Sequence, residues 1–197
     1  MTPYRKKYII TGAPGTGKTC LLDALGREYS CMPEVSRKVI SSQQEIGGSG
    51  TPWQNVNMFV ELVYGEFITS LSNHSEAIFT DRSILDLIAY LQVEGMPVDR
   101  QLIEFSYLEK FHKQVFFAPT WESIYQKDEQ RQQEFSYGLE LEKALQKSYS
   151  EMGFELILLP KEAVDRRVDF VKSCLRPHEK GEFGKQAGES NLLILNT

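Results

Sequence analysis

The sequence has few cysteines and no long apolar run. Its three cysteines, Cys20, Cys31 and Cys174, are far apart and form no C-x-x-C pair. An odd number of scattered thiols is typical of a reducing compartment and argues against a disulfide framework or a zinc site. No apolar stretch approaches the ~20 residues of a membrane-spanning helix, and the one after the basic N-terminal residues is too short for a signal peptide. We therefore expect a cytoplasmic protein with no membrane partner.

A surplus of basic residues is also missing. The 197 residues include 22 Lys and Arg against 27 Asp and Glu, for a net charge of -5. Because proteins that bind nucleic-acid backbones usually carry a marked positive charge, no DNA partner is expected. The length is that of one domain. We predict a single domain over residues 1–176 and a tail over residues 177–197, which is a Gly/Lys/Glu-rich linker ending in a short apolar segment.

Strand-like apolar runs alternate with helical patterns along the chain. The runs expected to form strands are Lys7–Thr11, Ser30–Glu34, Ala77–Thr80, Gln114–Phe117 and Phe154–Leu159. One intervening helix is expected over Lys18–Tyr29, and another beyond Pro97 to about His112. This alternation predicts an α/β fold with three layers, a five-stranded parallel sheet with helices on both faces. Ligands are then expected at the carboxyl ends of the strands.

The first strand is followed by a phosphate-binding loop (P-loop). The segment G-A-P-G-T-G-K-T matches G-x-x-x-x-G-K-[ST] between an apolar strand and a helix. Its glycines let backbone N–H groups turn toward phosphate oxygens, and the helix N-terminus adds partial positive charge. We expect Lys18 to contact the β- and γ-phosphates of ATP and the Thr19 hydroxyl to hold Mg²⁺. The predicted nucleotide-binding residues are Gly12, Ala13, Pro14, Gly15, Thr16, Gly17, Lys18, Thr19 and Cys20.

A second signal, Asp81-Arg82-Ser83, ends the third predicted strand. P-loop proteins place a magnesium-orienting carboxylate at this position, so Asp81 is a candidate metal ligand and catalytic residue. Arg82 would put a forked cation beside the transferred phosphate and is a further catalytic candidate. The alternative is a helix start, with Asp81 or Ser83 as the cap and Arg82 in a surface ion pair. The P-loop upstream favours the catalytic interpretation.

Two classes of P-loop protein are disfavoured by missing motifs. A GTPase should carry N-K-x-D for guanine, which the sequence lacks, and its only D-x-x-G string, Asp23–Gly26, lies within the predicted P-loop helix. A motor ATPase needs an acidic pair after the third strand, but Arg82 follows Asp81. A small-molecule kinase remains.

Several short motifs follow one another in a recognisable order. They are G-A-P-G-T-G-K-T, then E-V-S-R at Glu34–Arg37, P-W-Q-N at Pro52–Asn55, T-D-R-S at Thr80–Ser83, F-F-A-P at Phe116–Pro119 and D-R-R-V-D-F at Asp165–Phe170. From about Tyr4 to Arg176 the chain resembles a family of small predicted ATPases with an AAA-like ATP-binding domain. That family is similar in fold to nucleoside and nucleoside-monophosphate kinases and to the nicotinamide riboside kinase domain.

The resemblance implies roles for four further residues. Glu34 corresponds to a base near the acceptor hydroxyl, or else is a first-turn carboxylate favoured by the helix dipole. Arg37, a turn later, is expected in a surface salt bridge, with a ligand clamp as the alternative. Arg131 is the candidate lid arginine that closes over the phosphates, or else part of a solvated helix face. Trp53 is expected to be a core anchor, with stacking on a ligand ring as the alternative.

The resemblance implies an enzyme that transfers phosphate from MgATP to a small nucleoside- or nucleotide-like acceptor. The alternative is a slow ATPase that acts as a nucleotide-switched module and binds a protein through the loop around Gly47–Trp53 and the apolar tail. A nucleotide binder without turnover is a third hypothesis, against which Lys18, Thr19 and Asp81 argue. Turnover that depends on an acceptor would distinguish the first two.

Overall fold

The computed structural model describes residues 5–125 and 135–175. Five strands form one parallel sheet in the order β2-β3-β1-β4-β5. The strands are β1 (Lys7–Thr11), β2 (Cys31–Met32), β3 (Phe79–Asp81), β4 (Phe111–Phe117) and β5 (Glu155–Leu158). The helices are α1 (Lys18–Leu25), α2 (Val35–Glu45), α3 (Val56–Asn73), α4 (Ile84–Val93), α5 (Arg100–Ile103), α6 (Tyr107–Lys110), α7 (Phe135–Glu151) and α8 (Val164–Cys174), with a 3₁₀ turn at Glu122–Ile124.

The central strand shows how the sequence builds three layers. Alternate residues of a strand point to opposite faces of the sheet. In β1, Tyr8 and Ile10 pack in one core cluster with residues of α1 and α8, whereas Ile9 packs in the other with residues of α2, α3, α4 and α7. All five residues of β1 are buried, as expected for a parallel strand covered on both faces. The predicted five-stranded parallel sheet with helices on both faces is confirmed.

Two helices differ from the sequence prediction. The helix expected beyond Pro97 to about His112 is instead two single turns, α5 and α6, and β4 already begins at Phe111. Phe111 is fully buried and pairs with Lys7 of β1, so pairing with the central strand outweighs local helix propensity there. Helix α1 ends at Leu25 rather than Tyr29 because Gly26 forms its C-cap, and glycine is unfavourable inside a helix.

The strand order determines which loops meet. Because β2, β3 and β1 are neighbours and parallel, the residues that follow them converge at one edge of the sheet. Glu34 follows β2, Arg82 follows β3 and Gly12 follows β1. Within the described ranges, no helix is long and apolar enough to cross a membrane.

Candidate active site

The P-loop needs glycine at two positions in particular. Gly12 has φ +141°, and a Cβ there would lie 2.2 Å from the carbonyl oxygen of Ala118. Gly17 has φ +74° and forms the N-cap of α1, in the left-handed region that L side chains rarely adopt. The two glycines let the chain turn from a buried strand into a helix whose free N–H groups face the loop.

Lys18 lies buried within this loop. Its Nζ donates to the carbonyl oxygens of Gly12 and Ala13, at 2.8 Å each, and to Thr16 Oγ1 at 3.2 Å. Burial and the nearby charge of Arg82 lower the pKa of Lys18 to about 7. All three hydrogen-bond acceptors are neutral, so an incoming anion would stabilise the ammonium form more than they do.

Arg82 is at the centre of a buried ionic network. Its Nε donates to Glu34 Oε1 at 3.0 Å, and its Nη1 donates to Asp86 Oδ1 and to the Gly12 carbonyl oxygen, at 3.1 Å each. The backbone there has φ +68°, the one positive φ among the described non-glycine residues. Although burial lowers the pKa of Arg82, the carboxylates of Glu34, Asp86 and Asp81 outweigh this effect and raise it. The guanidinium is therefore a fixed cation next to the P-loop.

Asp86, which the sequence analysis did not single out, holds this network in place. Its Oδ1 also accepts from Thr11 Oγ1 at 2.6 Å, and its Oδ2 accepts from the Ser83 backbone N–H at 3.0 Å and from the Tyr149 hydroxyl at 2.6 Å. The Ser83 side chain accepts from the backbone N–H of Leu85 and completes a capping box at the start of α4. The spacing Ser-x-x-Asp is a sequence signal of such a box, so Asp86 could have been found from it.

Glu34 forms ion pairs with two arginines, Arg82 and Arg37. Its second oxygen, Oε2, accepts from Arg37 Nε at 3.0 Å. Burial alone would raise the pKa of Glu34, but Arg82 and Lys18 together lower it to about 2. The carboxylate is therefore ionised at neutral pH. The Arg37 side chain is 42% exposed in this ion pair. It therefore lies in a surface salt bridge, as expected from the sequence.

Asp81 offers a carboxylate oxygen without a partner. The residue is 4% exposed, and its Oδ1 is buried without a hydrogen bond to any other described residue. Burial and the charge of Glu34 raise the pKa of Asp81 to about 6. Mg²⁺ in P-loop sites takes one or two protein ligands and completes its shell with phosphate oxygens and water. An orphaned oxygen in this position fits that need, together with the Thr19 hydroxyl, which is exposed in the first turn of α1.

A cleft of about 640 Å³ connects these groups. Its walls include the P-loop from Pro14 to Cys20, with Glu34 and Arg82. On the side of α2, α3, α4 and α7, which we call the acceptor end, it is lined mainly by apolar and aromatic side chains: Ile40, Phe59, Leu87, Tyr90, Tyr137 and Leu141. On the side of α8 it is lined by Glu162, Ala163, Val164 and Arg167.

Among the described residues, Gly12, Ala13 and Asp81 are predicted site residues that do not line the cleft. Asp81 is next to the cleft rather than in its wall, close enough to affect the pKa of Lys18. Arg131 lies outside the described residues. Trp53 is 48% exposed, so the prediction of a core anchor is wrong; the core contacts of that region come from α3 residues such as Phe59 and Val60.

The position of Cys20 provides a direct test of nucleotide binding. Cys20 is exposed and lines the cleft, whereas burial raises the pKa of Cys31 to about 12. MgATP at 100 times its Kd should slow modification of Cys20 by a thiol reagent about 100-fold, because only the unoccupied fraction reacts. The rate is measured by mass spectrometry of the labelled peptide. Cys20→Ser identifies the signal, and labelling unaffected by saturating MgATP would contradict nucleotide binding at this loop.

These features define a class of protein. A parallel sheet of this order, a G-x-x-x-x-G-K-T loop between β1 and α1, and an Asp-Arg pair at the end of β3 make it a P-loop protein of the kinase-like α/β fold. Residues 7–167 match the model of a family described as an AAA domain. The chain belongs to that family.

Solved structures of nucleotide and nucleoside kinases share the fold. Deoxyadenosine kinase from M. mycoides is similar with a TM-score of 0.59 and 15% identity, over 85% of this chain and 97% of that one. Thymidylate kinase from Candida albicans has a TM-score of 0.58 and 14% identity, over 85% of this chain and 89% of that one. No curated protein matches the sequence significantly. The similarity establishes the kinase-like fold and leaves the substrates to be inferred from the site.

Proposed function

We propose that the protein transfers the γ-phosphate of MgATP to a hydroxyl group of a small, ring-bearing, nucleoside-like acceptor. The observation that carries this proposal is the pairing of Arg82 with Glu34 in the same cleft as Lys18. The cleft therefore brings together a phosphate-binding loop, a fixed cation and an ionised carboxylate. Phosphoryl transfer needs these groups, because its catalysis is mostly positioning and charge stabilisation.

Each group has a role in the proposed transfer. The loop N–H groups and Lys18 hold the phosphates, and Arg82 stabilises charge on the transferred group. Thr19 and Asp81 would hold Mg²⁺, which when bound supplies charge neutralisation on the phosphate oxygens. The acceptor oxygen bonds to the γ-phosphorus as the bond to ADP breaks. Glu34 orients the hydroxyl and takes its proton as the new bond forms; because its pKa is lowered to about 2, orientation is the larger part of this role.

The charge balance of the acceptor end favours a neutral acceptor. Among the described residues there, Arg37 and Arg82 both pair with Glu34, and Arg82 also pairs with Asp86. An acceptor that already carries a phosphate would add a second anion there, besides the transferred group, close to the carboxylates of Glu34 and Asp86. The aromatic side chains of Phe59, Tyr90 and Tyr137 suit a ring. The deoxyadenosine kinase of similar fold, described with its products dCMP and dCDP bound, supports a nucleoside-like acceptor.

One surface feature favours the second candidate function, a slow nucleotide-switched ATPase that binds a protein. Ile46, Trp53 and Met58, in and beside the loop that precedes α3, are 74%, 48% and 37% exposed. Several exposed large apolar side chains in one segment suit an interaction site.

The acceptor hypothesis is tested by ADP release from MgATP, alone and with pooled nucleosides, nucleoside monophosphates or pyridine nucleosides. We expect a nucleoside pool to stimulate release. Glu34→Gln should lower the stimulated rate by about 10²-fold, the lower end of the range for a general base because the pKa of Glu34 is far below neutral pH, with ATP affinity nearly unchanged. Stimulation by monophosphates alone would contradict the neutral acceptor, and slow release that no pool changes would favour the switch.

A further inference from the structure

Arg167 connects the last helix of the described chain to the P-loop. It lies in α8, is 3% exposed and lines the cleft. Its Nη1 donates to the carbonyl oxygen of Thr16 at 3.1 Å. The same atom would lie 2.9 Å from a Cβ at Gly17, so the guanidinium packs directly against the last glycine of the loop. Arg167 belongs to the D-R-R-V-D-F motif at Asp165–Phe170, but the sequence alone assigns it no role.

The charge of Arg167 is not compensated within the described protein. In residues 5–125 and 135–175 no carboxylate forms an ion pair with it, and its Nε is buried without a hydrogen-bond partner. Arg82, the other buried arginine of the cleft, has two carboxylate partners. Burying an unpaired charge is costly. A guanidinium kept in this state beside a phosphate-binding loop indicates that its counter-charge comes with the ligand.

The surroundings of Arg167 also indicate which ligand. Burial lowers its pKa, and among the described residues the titratable group that opposes this is the thiol of Cys20. Cys20 directly follows the G-K-T of the loop, in the first turn of α1, where free backbone N–H groups attract phosphate oxygens. Lys18 contacts the loop through Gly12 and Ala13, and Arg167 contacts it through Thr16. The two cations therefore contact different atoms of the same loop.

We propose that Arg167 binds the polyphosphate of the nucleotide, as a second cation of the phosphate site besides Lys18. The inference rests on the part of the proposed function in which a nucleotide binds the P-loop, and it is independent of whether phosphate is transferred. Arginine suits this role because its fork can keep the bond to Thr16 while other N–H groups face phosphate oxygens. Nucleotide binding would then also attach α8 more firmly to the loop.

The test compares Arg167→Gln and Arg167→Lys with a matched control, Arg166→Gln. Arg166 is the exposed neighbour of Arg167 on α8. Arg166→Gln therefore removes the same positive charge from the same helix, but from an exposed position. Calorimetry measures the Kd of MgATP and of inorganic tripolyphosphate for each full-length protein. Arg167→Gln should weaken both ligands by about 10- to 100-fold, the size expected for a charge-assisted hydrogen bond. Arg167→Lys should recover part of the loss, and Arg166→Gln should change either Kd by less than about twofold.

A purely structural role would give a different pattern. If Arg167 only anchors α8, Arg167→Gln lowers the free energy of unfolding of the ligand-free protein and leaves the affinity of the folded form unchanged. Under the proposal, the urea midpoint of the ligand-free protein stays the same or rises, because an unpaired buried charge has been removed.

The outcomes separate the two proposals. Unchanged affinity of Arg167→Gln for tripolyphosphate overturns this inference, and loss of affinity for MgATP alone would place Arg167 at the base or ribose, which overturns it as well. If Lys18→Ala abolishes binding while Arg167→Gln leaves both Kd values unchanged, nucleotide binding at the P-loop stands and only this inference fails. If the wild-type protein binds neither ligand, both are contradicted.

Discussion

Lys18→Ala should abolish binding of MgATP while the fold survives. The Lys18 ammonium is buried and held by neutral oxygens of Gly12, Ala13 and Thr16. Burial is the main reason that its pKa is lowered to about 7, so removing it costs the ligand-free protein little. MgATP at 100 times its wild-type Kd should stabilise the wild-type protein by about 2.7 kcal/mol and the variant by almost nothing. Thermal unfolding with and without MgATP measures this difference.

Lys38→Ala is the matched control for Lys18→Ala. Lys38 lies on α2 with a side chain that is 64% exposed, in an ion pair with Glu66. Its removal should leave the stabilisation by MgATP unchanged. An undiminished effect of MgATP on Lys18→Ala would contradict the assignment of the P-loop.

Arg82→Ala should have the largest effect on stability among the site variants, and it should reduce turnover far more than nucleotide affinity. The substitution leaves the carboxylates of Glu34 and Asp86 without the cation that they share. In the wild-type protein the side chains of Arg82, Glu34 and Asp86 are 16%, 13% and 8% exposed. Breaking a buried ion pair by removing one partner costs about 3–5 kcal/mol. Urea unfolding measures this loss, and Kd and kcat for MgATP are determined at a temperature where the variant is folded.

The effect of Arg82→Ala should depend on pH in a defined direction. In the folded protein the pKa of Glu34 is lowered to about 2, against an ordinary value of 4.5. A lowered carboxyl pKa contributes stability above the unfolded value and loses it as the pH falls through the folded one. The stability deficit of the variant should therefore be full at neutral pH and shrink as the pH falls below about 4.5.

Arg37→Ala provides the comparison for Arg82→Ala. Arg37 contacts the same carboxylate, but its side chain is 42% exposed. Its loss should cost at most about 1 kcal/mol, as for other exposed ion pairs. If Arg82→Ala lowers turnover only in proportion to the unfolded fraction, Arg82 is structural and its proposed role in transfer is contradicted.

The sequence predicted the parts of the protein that depend on local patterns. The P-loop is contiguous, and its glycines are required where the backbone has φ +141° and +74°. Four of the five strands were recognisable because each contains a short apolar run between helical patterns, whereas β2 is only Cys31–Met32. Single turns were not, since α5 and α6 are defined by Asp99 capping and by the pairing of Phe111 with β1. The Asp99 cap is local, since Asp99 accepts from the backbone N–H of Gln101, but the pairing of Phe111 is a tertiary contact that a local pattern does not contain.

The assembly of the site was beyond the sequence for the same reason. Glu34 and Arg82 are 48 positions apart and meet only because β2 and β3 are neighbours in the sheet. Arg167 and Thr16 are 151 positions apart and meet because α8 packs beside α1. The motifs identified Glu34 and Arg82 individually as candidate residues. That Arg82 Nε donates to Glu34 Oε1 could be predicted only with the strand order known.

The fate of the terminal phosphate tests the central claim most directly. The protein is incubated with γ-labelled MgATP and the nucleoside pool, with Lys18→Ala in parallel, and the labelled products are separated from inorganic phosphate. The proposed function predicts label in a phosphorylated nucleoside-like product that is absent with Lys18→Ala. Label recovered only as inorganic phosphate, at a rate that no nucleoside changes, would contradict phosphotransfer and support the nucleotide-switched alternative.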